Sequence, residues 1–252
     1  GAAIANHAHG LLTDEQYNAI VATCKEILEG KHHDQFPVDM IQGGAGTTTN
    51  MNANEVICNR ALQIMGHEAG EYKYLQPNDH VNCSQSTNDA YPTAIHLGLY
   101  ATHLALRPHL EELIASLRKK SAEFAHILKM GRTQLEDAVP MSLGQTFGGF
   151  AAILEEELAY LDFAAKQFLT INMGATAIGT GICSEPGYAE ACIKATADIT
   201  GWDIKLTEDL VGATSDTSVM IGYSSALKRI AVKLNKIGND IRLLASGPRC
   251  GL

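Results

Sequence analysis

The chain has 252 residues, 46% of them hydrophobic, and a formal net charge of −9. That is enough apolar material for one large domain or two smaller ones, and too much for a disordered segment. The negative balance, with no Lys/Arg-rich run, excludes nucleic acid and anionic membrane as expected partners, because both need clustered positive charge.

After a polar start, Thr13 with Asp14, Glu15 and Gln16 reads as the N-cap and acidic first turn of a helix. Its apolar residues are Ile20, Val21, Cys24, Ile27 and Leu28, and Gly30 stops it. A second helix is predicted from Asn52 to Met65, burying Val56, Ile57, Ala61, Leu62 and Met65 and ending at Gly66. Tyr72 to Val81 reads as a loop, with Pro77-Asn78-Asp79 as turn chemistry. From Asn88 the pattern becomes helical, with Tyr91 to Ala125 apolar at helical period. Pro92 is tolerable in a first turn, whereas Pro108 predicts a kink or break. Lys129 to Pro140 reads as a loop, Ser142 to Ile171 as a long helix, Gly174 to Gly187 as a glycine-rich connection, Tyr188 to Thr200 as a short helix, and Val219 to Leu244 as a third long helix. Strand signals are nearly absent, so the fold class is mostly α. Helices apolar beyond one face point to an oligomeric bundle, since such faces need partners to cover them.

No apolar run approaches the ~18 residues that span a bilayer, because Glu155, Glu156 and Glu157 interrupt the best candidate. The segment Gly1-Ala2-Ala3-Ile4-Ala5 lacks the basic flank of a signal peptide. Cys24, Cys58, Cys83, Cys183, Cys192 and Cys250 form no C-x-x-C pair and have no histidines at zinc spacing, so they read as free thiols in a reducing cytoplasm. The pairs His7/His9 and His32/His33 read as surface histidines rather than metal ligands. Neither a metal nor an organic cofactor is expected.

Three clusters crowd hydroxyls and carboxamides against glycine: Gly43 to Asn52, Ser84 to Asp89, and Gly131 to Asp137. One such cluster is an ordinary capping loop. Three, each beside a predicted helix start where backbone N–H groups and the helix dipole favour an anion, suggest a small ligand with several carboxylates. Gly43 to Thr49 lacks the Gly-Lys-Ser/Thr ending of a phosphate loop.

In these segments the chain resembles the aspartase/fumarase superfamily. The resemblance runs through Gly46-Thr47-Thr48-Thr49-Asn50-Met51-Asn52-Ala53-Asn54-Glu55, Asn78 to Asp89, Lys129 to Gln134, Gly174 to Gly181, and Ser246-Gly247-Pro248-Arg249. It implies a helical N-terminal domain over residues 1–84 and the first part of a long central helix bundle over 85–252. It also implies anti elimination of ammonia from L-aspartate to give fumarate, without a cofactor, in a homotetramer whose sites each draw on three subunits. On that resemblance Thr47, Ser86 and Thr87 bind the β-carboxylate, Asn88 contacts the leaving amine, Thr133 binds the α-carboxylate, and Gln134 is a further substrate-binding position.

Two departures bear on the reaction. Gln134 stands where fumarases and some aspartases carry histidine, and Gln76 precedes Pro77-Asn78-Asp79 where fumarases carry histidine. Both favour amine elimination over hydration, although fumarate hydratase and a catalytically silent scaffold of the superfamily remain alternatives. Cys183 replaces the usual asparagine. Asp89, Asp137, Glu208, Asp209 and Asp216 read as caps and scaffold groups, not as acid/base carboxylates. The family's general base is a serine on a mobile loop, followed by a lysine and an asparagine, and this chain carries none of the three. The resemblance therefore implies a fragment of a chain nearly twice as long, inactive on its own because nothing in it removes the proton.

Overall fold

Helix dominates the computed structural model, which describes residues 1–39, 41 and 45–246. Gly43, Gly44, Gly247, Pro248, Arg249 and Cys250, on which part of the sequence reading fell, lie outside the described residues. The α-helices are α1 (Ala2–Ala8), α2 (Asp14–Leu28), α3 (Thr47–Ile64), α4 (Thr87–Glu123), α5 (Leu143–Lys166), α6 (Tyr188–Thr200), α7 (Leu210–Ser215) and α8 (Ser218–Leu244). The strands are β1 (Leu128–Thr133), β2 (Glu136–Ser142), β3 (Thr170–Ile171) and β4 (Lys205–Leu206). The backbone divides into two compact units, Gly1–Gly98 with Leu169–Asp216, and Leu99–Phe168 with Thr217–Leu252. These differ from the expected 1–84 and 85–252 segments because residues 169–216 fold back onto the N-terminal helices.

In the first unit, α2 opens with a reciprocal capping box: Gln16 N–H donates to Thr13 Oγ at 3.3 Å, and Thr13 N–H donates to Gln16 Oε1 at 3.1 Å. Its Ala19 and Ile20 pack with Cys58, Ala61 and Leu62 of α3 and with Leu75. A second core joins Ala5 of α1 to Tyr188, Cys192 and Ile193 of α6. Glu26 holds both Arg60, at 2.7 and 2.9 Å, and His32, at 2.8 Å. The Arg60 guanidinium first, and then His32, pull the Glu26 carboxyl down to about 2. The second unit packs α4, α5 and α8 through Leu110, Leu161, Ala165 and Ile230 in one cluster and through Ile114, Phe150, Leu154 and Ile237 in another. Glu157, only 1% exposed, is bonded by Arg229 and Lys233.

Several expectations are corrected. Helix α3 starts at Thr47 rather than Asn52, because Gly46 at φ +82° turns the chain into the first turn five residues earlier. Pro77–Val81 forms a π turn, not a loop. Helix α4 runs unbroken through Pro108. Losing one helical bond there costs about 3 kcal/mol, which burial of Leu110 with its neighbours Leu106, Leu161 and Ala165 offsets. The expected loop at 129–140 is an antiparallel hairpin, pairing Leu128 with Ser142 and Thr133 with Glu136, bulged between Met130 and Arg132. Helix α5 ends at Lys166, short of the predicted Ile171. Helices α1 and α7 and the two-residue parallel pair β3–β4 had no sequence signal.

No helix among the described residues is long and apolar enough to cross a membrane. Cys24, Cys58, Cys83, Cys183 and Cys192 are free thiols. His7 bonds Asp14 at 2.7 Å and stacks on Tyr17, while His33 bonds the Ile27 carbonyl at 2.9 Å.

Candidate functional site

Two of the three polar clusters become helix N-termini in the first unit, and one side chain ties them together. Gly46 is the residue before α3, and a Cβ there would lie 2.2 Å from the Tyr91 ring. Only glycine allows this close approach at a left-handed backbone. Thr47 and Thr48 then stand exposed in a first turn whose backbone N–H groups have no helical partner. From the same turn, Asn50 Nδ2 donates to Thr87 Oγ, the first residue of α4, at 3.1 Å. We expect Gly46→Ala to destabilise the first unit by at least about 1–2 kcal/mol from the left-handed backbone alone, with the Tyr91 clash added. Urea unfolding checks this, and an unchanged midpoint would show that the α3 start can shift freely.

The start of α4 is locked from beneath. Asp89 is fully buried and accepts from the backbone N–H groups of Ser86 at 2.9 Å, Gly174 at 3.2 Å and Thr176 at 2.8 Å. Burial pushes its carboxyl up, and the backbone N–H bonds oppose that shift. It is a staple between α4 and the glycine-rich segment, in line with its expected scaffold role. The neighbouring Asn88 donates through Nδ2 to the Ala177 carbonyl at 2.8 Å, leaving its amide oxygen as the end suited to an ammonium. Asn172 donates to the Asn88 carbonyl at 3.2 Å and to Thr214 Oγ at 3.2 Å. The Ser86 hydroxyl oxygen accepts from Asn88 N–H at 3.2 Å.

Thr47, Ser86, Thr87 and Asn88 are thus drawn into one region of the first unit. Thr133 and Gln134 belong to the second unit, both exposed at the tip of the β1–β2 hairpin. The third cluster is therefore a β turn, not a helix start. Gln134 and Leu135 carry φ of +50° and +70°, as the two central positions of a mirror-image hairpin turn require. Beside that tip lies a cleft of about 640 Å³ lined by Lys129, Arg132, Gln134, Leu135 and Lys236 among others. Gln76 precedes the π turn, and its N–H donates to His80 Nδ1 at 2.9 Å. Asp209 caps α7 by accepting from Gly212 N–H at 2.7 Å. Cys183 is exposed at φ +67°. No group of three or more His, Cys, Asp or Glu able to hold a metal occurs among the described residues.

Sequence reasoning did not single out Asn50, Asn82 and Asn172, whose side chains link Thr87 and the Asn88 backbone to their surroundings. Asn50 and Asn82 stand inside quoted motifs, so the available signal was an excess of carboxamides over what caps require.

A family model described as lyase matches residues 1–252. The aspartate ammonia-lyase of Pseudomonas fluorescens is 55% identical over all 252 residues, and the chain spans 53% of that relative's length. The crystal structure of a fumarate lyase:delta crystallin from Brucella melitensis bound to cobalt aligns at a TM-score of 0.97 with 51% identity, covering 99% of this chain and 54% of that one. A class II fumarase from Schistosoma mansoni aligns at a TM-score of 0.93 with 33% identity, covering 99% and 56%. With its helical architecture, its joined helix starts and a match along its whole length, the chain belongs to the lyase family that this model describes.

Proposed function

We propose that the chain is part of an aspartate ammonia-lyase, eliminating ammonia from L-aspartate to give fumarate. The observation that carries this reading is the polarity of two adjacent hydroxyls. Ser86 Oγ and Thr87 Oγ each accept from a protein N–H, so each has its own hydrogen to donate outward at a helix N-terminus. Proton removal beside the β-carboxylate drives that group towards a doubly negative, enolate-like form, and donors aimed at the growing charge lower its energy. Thr47, Ser86 and Thr87 are those donors, and Asn88 Oδ1 accepts from the departing ammonium. Thr133 binds the α-carboxylate, with Gln134 contacting the substrate beside it. The proton itself goes to the loop serine that the family carries beyond the matched segment.

The working assembly is a cytoplasmic homotetramer in which the hairpin of one copy serves the helix starts of another. Supporting this, Phe163, Ile221 and Val232 of the second unit are 61–63% exposed, apolar surface that a partner copy would cover.

Fumarate hydration is the second reading, favoured by the 33% identical fumarase and opposed by Gln76 and Gln134, which offer no imidazole to handle water. In the protein completed to its relatives' length, absorbance of fumarate should rise with L-aspartate far faster than with malate. Faster turnover of malate would sink the proposal, and turnover of neither would favour the silent scaffold.

A further inference from the structure

We propose that Asn50 is a positioning residue that fixes which way the Thr87 hydroxyl points, through a chain of carboxamides anchored on a backbone carbonyl. This deepens the function proposed above and rests on it for its catalytic consequence. A hydroxyl can donate or accept, and a carboxamide does one at each end, so the sense of such a chain is set wherever it meets a group that can do only one. Here that group is the Gln85 carbonyl. Asn82 Nδ2 faces it at 3.5 Å, a long contact whose sense is nonetheless fixed because a carbonyl only accepts. Asn82 therefore turns its Oδ1 the other way, where Asn54 Nδ2 donates to it at 3.0 Å and Asn50 Nδ2 at 3.3 Å. Asn50 must then present its NH2 end, and that end also donates to Thr87 Oγ at 3.1 Å. The Thr87 oxygen is thereby occupied as an acceptor, and its hydrogen is directed away from α3. Neither Asn50 nor Asn82 needs to touch a ligand for this to matter. A donor already turned towards the developing charge needs no reorientation as that charge grows, which is the condition for strong stabilisation.

The test uses the complete protein and the variants Asn50→Asp, Asn50→Ala, Thr87→Ala and the two Asn50/Thr87 doubles. Aspartate at position 50 accepts where asparagine donates, so it draws the Thr87 hydrogen inward with little change in side-chain size. Alanine merely releases the hydroxyl. We expect Asn50→Asp to lower kcat for L-aspartate by about 10²-fold, the scale of one lost donor, and Asn50→Ala to lower it less. A packing role gives the opposite order, because alanine removes more atoms, and that order would overturn the proposal. In the Thr87→Ala background, Asn50→Asp should cost little further. If its effect multiplies there in full, Asn50 acts on the reaction directly and the relay is wrong. Urea unfolding separates this from the functional reading. Asn50→Ala and Thr87→Ala should be non-additive by about two- to tenfold in the unfolding constant, as for one hydrogen bond. Additive values overturn the relay whatever the kinetics. A coupled pair in a protein with no aspartate turnover leaves the relay standing and removes the proposed function instead.

Discussion

Thr87→Ala, made in the complete protein, is expected to lower kcat/KM for L-aspartate by about 10²-fold or more. The hydroxyl oxygen is occupied by Asn50 at 3.1 Å, so in the proposed site the group is left to serve the ligand as a donor. In the proposed reaction, deleting it removes one of three hydroxyls from a carboxylate that gains its second charge only in the transition state. The loss should therefore fall in kcat and kcat/KM together, not in KM alone. At about 2.7–4 kcal/mol it exceeds the roughly 1 kcal/mol that the half-buried hydrogen bond to Asn50 contributes to stability. Thr87→Ser keeps the hydroxyl and should recover most of the rate. Steady-state kinetics on the three proteins check this, and wild-type parameters for the alanine variant would take Thr87 out of the site.

The largest effect on stability should come from Asp89→Ala. The carboxylate accepts from Ser86, Gly174 and Thr176 N–H groups at full burial, and truncation leaves all three without it. At about 1–3 kcal/mol for each buried donor left unmade, a loss of about 3 kcal/mol or more is expected. Hydrogen exchange at Gly174 and Thr176 should accelerate beyond that of the α2–α3 core, because the staple fails locally before the unit unfolds. Asp89→Asn retains one carbonyl oxygen and should lose less. Its pH dependence is a separate check. Burial raises the Asp89 carboxyl above the ordinary carboxylate value. The folded chain thus holds this proton more tightly than the unfolded chain. The stability it contributes is full below the ordinary value and declines as pH rises through the raised one. The asparagine variant should lack that decline in urea titrations between acid and neutral pH. Equal stability of wild type and Asp89→Ala would show that segment 174–176 is held by something else.

Where local chemistry decides structure, the sequence was readable. Thr13 and Gln16 announced the start of α2, and Tyr188–Thr200 appeared between two glycines that the structure holds at φ +86° and +71°. Where a distant contact decides, it was not. The start of α3 depends on Gly46 meeting Tyr91, 45 positions on, and β-branched Thr47, Thr48 and Thr49 gave no helical signal of their own. The hairpin was missed because its turn residues, Gln134 and Leu135, are neither glycine nor asparagine, and Pro140 argued against a strand. In the candidate site the hydroxyls were legible through resemblance. The atoms that aim them were not, because Asn50 finds Thr87 across 37 residues and Asp89 finds Thr176 across 87.

The N-terminal helix must wait for its partner. Ala5 is buried against Tyr188 and Cys192, in a unit completed by residues 169–216. A ribosome adding about 5–20 residues per second makes the rest of α6 roughly 10–40 seconds after α1 has been polymerised. During that interval Ala3 of α1 can pack against the α2–α3 core, but Ala5 has no Tyr188 or Cys192 to meet, and Asp89 has no Gly174 or Thr176. The order of synthesis thus leaves the Ala5 face of α1 uncovered until α6 is made, an opening for nascent-chain chaperones before the polar cluster can close.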